Sequence, residues 1–273
     1  MIERERRRAL LLAVPALAVF AAFWLLPMAR LVAVGANGPD GARAYLAVVT
    51  NRNYFSSLVS TALLSAATSI ATIAVSLVAG IFLQRNRFPG RELLVSLMTL
   101  PLAFPGVVVG FMVILLAGRQ GLIGEVTSWL FGGKVVFAYG MAGLFMGYLY
   151  FSIPRVILTV MASVEKLDPA LEEAARSLGA STWQVTRDVI LPALMPAIIS
   201  SGAICFATSM GAFGTAFTLA TQINVLPLTI YNEFTNYANF PMAAALSIVL
   251  GLITWAALAA ARQLAGAGVA AAG

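Results

Sequence analysis

The residues best placed to do chemistry lie between Leu171 and Pro192, where the chain reads LEEAARSLGASTWQVTRDVILP. Leu171, Ala174, Ala175 and Leu178 recur at helical spacing and make an apolar stripe, with Glu172, Glu173 and Arg176 away from it. Asp168 ahead of Pro169 reads as a helix start, and Gly179 as its stop. Ser181 with Gln184 three positions later reads as a capping box for a second short helix, which runs into an apolar stretch at Leu191 and Pro192. The chemistry of such a unit is ion pairing and docking into a groove on a partner protein, not bond-making.

Bond-making finds no support elsewhere. The chain has no histidine, which removes imidazole chemistry and most metal sites. Its one cysteine, Cys205, sits in an apolar run and reads as a small packing residue. Glu125 and Glu233 lack a carboxylate partner at motif spacing. Gly132, Gly133 and Lys134 are followed by Val135 and have no glycine five positions before Gly133, so they are no phosphate loop. The expectation is a chain that is not an enzyme and binds no cofactor or metal of its own.

The unit around Gly179 also has the outline of a helix-turn-helix DNA reader. Its charge argues against that: from Glu165 to Asp188, five acids face three bases, whereas a nucleic-acid surface is basic.

The elements that must hold this unit are set by composition. With 60% hydrophobic and 10% charged residues, and a mean hydropathy of +0.91, the chain cannot cover itself with polar surface. An all-α membrane protein of one domain, 1–273, is expected, with about six transmembrane helices near 9–34, 54–84, 93–118, 135–160, 189–214 and 239–262. The loop over 165–188 lies between the fourth and fifth. The stretch 211–232 carries Gln222, Asn224, Pro227 and Asn232 and is expected to form an outer gate rather than a seventh span. Alternating spans put Arg85, Arg87, Arg91, Arg155, Lys166, Arg176, Arg187 and Arg262 on the side of Arg4, Arg6, Arg7 and Arg8, and leave Arg30, Arg43, Arg52, Arg119 and Lys134 opposite. That bias places both termini in the cytoplasm and makes the net charge of +6 mainly a topology signal. The apolar run after MIERERRR is longer than a signal-peptide core and lacks a small-residue cleavage site, so the first helix is expected to be retained.

Within the spans, no charged residue is expected at depth, which disfavours ion-coupled transport. Gly106 with Gly110, and Gly143 with Gly147, are small-xxx-small pairs that let helix backbones approach. Ser57, Ser60, Thr61, Ser65, Thr68, Ser69 and Thr72 recur through the second span and either line a polar path or bond to their own helix backbone. A translocation path is expected along Ser200, Ser201, Thr208, Ser209 and Thr215.

Glu173, Ala174, Ala175, then Gly179, then Val189, Ile190, Leu191 and Pro192 resemble the EAA loop of permease subunits from binding-protein-dependent ABC importers, with Val189 where the family usually has isoleucine. The order of spans resembles the type I importer fold over most of the chain. Segments such as LPLAFPGVVVGF and LPLTIYNEF look most similar to the branch that handles polyamines, ferric iron, sulfate or molybdate, thiamine and aminophosphonates. The resemblance implies a subunit forming half of a translocation path in a bacterial-type inner membrane, its solute a polyamine or similar small polar organic molecule. It implies partners: ABC ATPase subunits that hold ATP and magnesium, a second permease copy or paralogue, and an extracytoplasmic solute-binding protein. Leu171, Glu172, Glu173, Ala174, Ala175, Arg176, Gly179, Leu191 and Pro192 would then couple to the ATPase, with Glu173 paired to a basic residue there. The alternative is a self-sufficient channel or secondary carrier.

Overall fold

The computed structural model describes residues 13–39, 41–219 and 223–271. The arginines expected to precede the first span, and its first residues 9–12, lie outside these, as do 220–222 within the expected gate. Among the described residues all regular structure is helical. The helices are α1 (Ala13–Ala36), α2 (Arg43–Thr50), α3 (Arg52–Arg85), α4 (Arg91–Thr99), α5 (Gly106–Ala117), α6 (Leu122–Phe131), α7 (Met141–Glu165), α8 (Pro169–Ser177), α9 (Thr182–Met210), α10 (Gly214–Leu219), α11 (Leu226–Thr235) and α12 (Phe240–Ala271). Six stretches are long and apolar enough to cross a membrane: Ala13–Ala36, Arg52–Arg85, Gly106–Phe131, Met141–Glu165, Thr182–Met210 and Phe240–Gly266.

Two spans depart from the sequence expectation. The run 93–118 is not one helix. Pro101 and Pro105 bring no amide hydrogen, and Pro105 drives Phe104 into an extended conformation (φ −88°, ψ 131°), so α4 gives way to a 3-10 turn over Leu100–Ala103 and α5 starts afresh at Gly106. The run 135–160 begins later, at Met141, because 135–138 serve another purpose. The amides of Phe137 and Ala138 donate to Ala117 O at 3.1 and 3.2 Å, closing the end of α5, while Val135 N donates to Thr127 Oγ1 at 3.0 Å.

Proline also explains a feature shared by α1 and α9. Each contains one π-helical turn, Ala21–Leu25 and Thr186–Ile190, and each turn is followed by a proline, Pro27 and Pro192. A proline inside a helix cannot donate to the carbonyl four residues back. The bonds Leu26 N to Ala21 O and Leu191 N to Thr186 O shift the ladder by one residue just before it.

The chain divides into two compact units, one of residues up to Ser56 with Thr229–Gly251, the other of Ser57–Leu228 with Leu252 onward. In the first, buried Glu233 accepts hydrogen bonds from Tyr54 Oη at 2.8 Å and Asn239 Nδ2 at 3.0 Å, and Tyr45 Oη donates to Val32 O at 2.8 Å. Those bonds replace the water that a buried carboxylate would otherwise need.

In the second unit, Ser76 Oγ of α3 donates to Ile153 O of α7 at 3.3 Å. The hydroxyl-bearing positions of α3 face the chain's own interior: Ser57, Thr61, Ser65, Thr68, Ser69 and Thr72 are buried, and Ser60 half-buried. Thr61 and Ser69 donate to backbone carbonyls four residues back, at 2.6 and 2.8 Å. Thr61 Oγ1 also accepts from Leu226 N at 2.7 Å, and Ser57 bonds Asn224. These hydroxyls therefore anchor the segment before α11 as well as their own helix.

α5 packs closely on α10. A Cβ on Gly110 would stand 2.6 Å from Thr218 Cβ, so Gly106 and Gly110 serve packing within the chain. Gly110→Leu forces a β-branched neighbour to move and is expected to destabilise the chain by about 1–3 kcal/mol. Thermal unfolding of the detergent-purified protein checks it, with Gly132→Ala, where a side chain meets open space, as the comparison at a site of turn strain alone.

Candidate functional site: the loop between α7 and α9

Local chemistry builds this loop as its sequence suggests. Asp168 Oδ1 accepts from Ala170 N at 2.9 Å and caps α8, whose first residue is Pro169. At the other end Ala180 N donates to Ala175 O at 3.1 Å and Gly179 N to Arg176 O at 2.9 Å, with Gly179 at φ +87°. That pair of bonds is a Schellman stop, which needs a left-handed residue at its centre. The second short helix opens on a complete capping box: Ser181 N donates to Gln184 Oε1 at 2.7 Å and Gln184 N to Ser181 Oγ at 3.4 Å. Leu191 is half-buried and Pro192 exposed in the first turns beyond the π-helical segment of α9.

How α8 is turned could not be read from its periodicity. Glu172, expected only to lie away from the apolar stripe with Glu173 and Arg176, points inward and forms an ion pair with Arg85 at the end of α3. Its side chain keeps only 15% of its exposure. Ala175 and Ala180 pack on an apolar cluster of Val156, Val160, Val164, Val185, Ile190 and Leu194. Most of the stripe therefore faces away from the protein: Leu171 is 55% exposed and Leu178 89%, and Trp183 of the next helix is 71% exposed. Ala174 is exposed beside them, as are Glu173 and Arg176. These large apolar side chains find little cover among the described residues of the chain.

Arg85 and Trp183 are the members that sequence reasoning missed. Arg85 lies 87 positions from Glu172, with no spacing to connect them. The end of α3 is further tied by Arg91, whose Nε donates to Leu83 O at 2.6 Å and whose Nη2 donates to Gln84 Oε1 at 3.1 Å. A cavity of about 800 Å³ opens beside it, lined by Gln84, Arg87, Arg91, Glu92 and Glu165 among others.

The residues expected along a path are scattered. Ser200 is exposed. Ser201 is buried and donates to Ile198 O at 3.2 Å, and Thr208 donates to Ile204 O at 2.9 Å. Ser209 is buried with no hydrogen-bond partner among the described residues. Thr215, also buried, donates to Gly106 O at 2.9 Å and borders a second cavity, of about 270 Å³. Arg155, expected on the cytoplasmic side, lines that cavity from within α7, ten residues before the helix ends at Glu165.

A sequence-family profile, described as "Binding-protein-dependent transport system inner membrane component", matches residues 75–265. The molybdenum transport system permease protein ModB of Escherichia coli (strain K12) is 35% identical over 195 residues, 68% of this chain and 84% of that protein. The sulfate transport system permease protein CysT of the same strain is 35% identical over 210 residues, 76% of this chain and 74% of that one. Among solved structures, a chain of a bacterial alginate ABC transporter in complex with an alginate pentasaccharide-bound periplasmic protein superposes with a TM-score of 0.79 at 18% identity, covering 97% of this chain and 96% of that one. A chain of the MetNI methionine ABC transporter in an inward-facing conformation gives a TM-score of 0.61 at 16% identity, covering 78% and 95%. These two likenesses show the fold.

Two measurements probe the loop. The Arg85–Glu172 pair is partly solvated and contributes at most about 1 kcal/mol, so its effect is on position. Arg85→Glu is expected to speed tryptic cleavage at Arg176, and the exchange Arg85→Glu with Glu172→Arg to restore the native rate. At Gly179, where a Cβ would meet nothing within 4 Å, the cost of substitution is that of the backbone alone. Gly179→Val is expected to destabilise by about 1–3 kcal/mol and Gly179→Asn by clearly less, read from thermal unfolding.

Proposed function

Because the chain belongs to the binding-protein-dependent transport system inner membrane components, and is a permease subunit of a type I ABC importer, we propose that α8 is the helix by which a cytoplasmic ATPase subunit moves it. The observation that carries this reading is the exposed face of Leu171, Leu178 and Trp183 on a loop otherwise bonded into place. These side chains would enter an apolar groove on the ATPase, and exposed Glu173 would pair with a basic residue at its rim. The Schellman stop at Gly179 sets the angle between α8 and α9, so that displacement of the docked helix carries α9 with it through Leu191 and Pro192. The Arg85–Glu172 pair passes the same displacement to α3, and the apolar cluster under Ala175 passes it to α7.

With one such loop per chain, a working importer needs two permease subunits, identical or paralogous, and two ATPase subunits that hold ATP and magnesium. An extracytoplasmic binding protein would deliver the solute, and both termini would be cytoplasmic, as the Lys and Arg bias favours. A self-sufficient channel or carrier has no use for an apolar face on this loop, and transport by the reconstituted chain alone would establish it instead.

The polyamine expectation is not supported. Relatives with 30–35% identity over 62–78% of the chain are molybdenum and sulfate transport permeases. The solute favoured for this chain is accordingly a small tetrahedral oxyanion such as molybdate or sulfate.

Leu178→Asp is expected to weaken ATPase binding by about 2 kcal/mol, roughly 30-fold, and Glu173→Arg to separate uptake from ATP hydrolysis while the permease still inserts and folds. Co-purification and uptake of labelled sulfate or molybdate by the reconstituted complex read both. Native assembly and uptake in both variants would refute the docking role.

A further inference from the structure

From the surroundings of Arg155, and resting on the oxyanion reading above, we infer that the cavity it lines is an intramembrane station for a compact dianion on the water-filled face of the chain. Arg155 stands fourteen residues into α7 and ten before its end, about 15 Å from the loop at 1.5 Å per residue. It forms no ion pair among the described residues, and no carboxylate lines the cavity with it. A cation at that depth facing hydrocarbon would be costly. An unpaired arginine within a span therefore points toward water or toward an anion.

The backbone of the same wall gives an independent argument. The cavity is bordered by Phe104, in the break between the 3-10 turn and α5, and by Ala212, in the break between α9 and α10. Non-helical backbone at membrane depth is tolerated where protein covers it or where it lines a water-filled space, because lipid offers it no hydrogen bonds. Within the chain Phe104 N donates to Pro101 O at 3.3 Å and Ala212 O accepts from Tyr148 Oη at 2.9 Å, while Phe104 stays 40% exposed. Two interrupted helices and an unpaired guanidinium thus meet at one cavity, an arrangement suited to an aqueous route.

The chemistry of the cavity selects its occupant. Its fixed charge is positive, and Thr215 and the glycines Gly106 and Gly214 add no negative charge. About 270 Å³ accommodates a compact ion with a few waters, each of about 30 Å³. A polycation is repelled there. A single arginine, whose planar fork matches an oxyanion edge, holds such a solute without trapping it, as passage requires.

The test uses the complete transporter with its binding protein in proteoliposomes, with labelled sulfate and molybdate as probes. Arg155→Gln is expected to cut uptake by about tenfold or more while binding-protein-stimulated ATP hydrolysis persists, and Arg155→Lys, which keeps the charge, to retain a substantial part of it. Uptake by Arg155→Gln within about twofold of a native transporter that does carry either ion would overturn the inference and leave the oxyanion reading standing. A native transporter that carries neither ion removes both.

Accessibility tests the site even where uptake is lost through misassembly. With buried Cys205 replaced by alanine, Arg155→Cys is expected to react with a membrane-impermeant anionic thiol reagent, and more slowly when sulfate or molybdate is present. No reaction in either the ATP-bound or the nucleotide-free state would place the residue against lipid or protein and end the proposal.

Discussion

Hydrocarbon offers no partner to a backbone amide or carbonyl, and the architecture of this chain follows from that one restriction. A long stretch such as α3, which holds no proline, satisfies its own main-chain groups and needs nothing from the surroundings. Beside several prolines that remove a donor, the helix changes form. π-helical turns precede Pro27 and Pro192, and a 3-10 turn with a fresh helix start surrounds Pro101 and Pro105. The open end of α5 is closed by amides from 137 and 138, folded back on Ala117. Irregular backbone here is thus bonded from elsewhere in the chain, as at Ala117, Gly106 and Ala212.

The same restriction explains why the small polar side chains of α3 are informative. A hydroxyl buried among helices can bond its own backbone at little cost, as Ser69 does, or hold a distant segment, as Thr61 holds Leu226. Ser65, Thr68, Thr72, Ser152 and Ser209 are buried without a partner among the described residues, so the interior of this unit is not uniformly apolar.

The polar loop works in the opposite sense, since it lies where water competes for every bond and strength comes from number. A cap at Asp168, a Schellman stop at Gly179, a capping box at Ser181, one ion pair and two alanines on an apolar cluster together fix two short helices that would not persist alone. The result is a rigid elbow with its apolar edge outward.

The membrane class and the local form of the loop were legible in the sequence because they depend on near neighbours: hydropathy over some twenty residues, and caps that act across three or four positions. The membership of the loop in its family was equally local. What only the tertiary structure decided rests on residues far apart in the chain. Glu172 and Glu173 are adjacent and chemically alike, yet one meets Arg85 and the other solvent, since packing of Ala175 on the cluster around Val160 sets the rotation of α8. Arg155 looked like a boundary charge because only the assembled helices reveal how far α7 continues beyond it, and which broken helices face it. Periodicity defines which side chains share a face. Which way that face turns is settled by the free energy of packing against elements the local sequence does not contain.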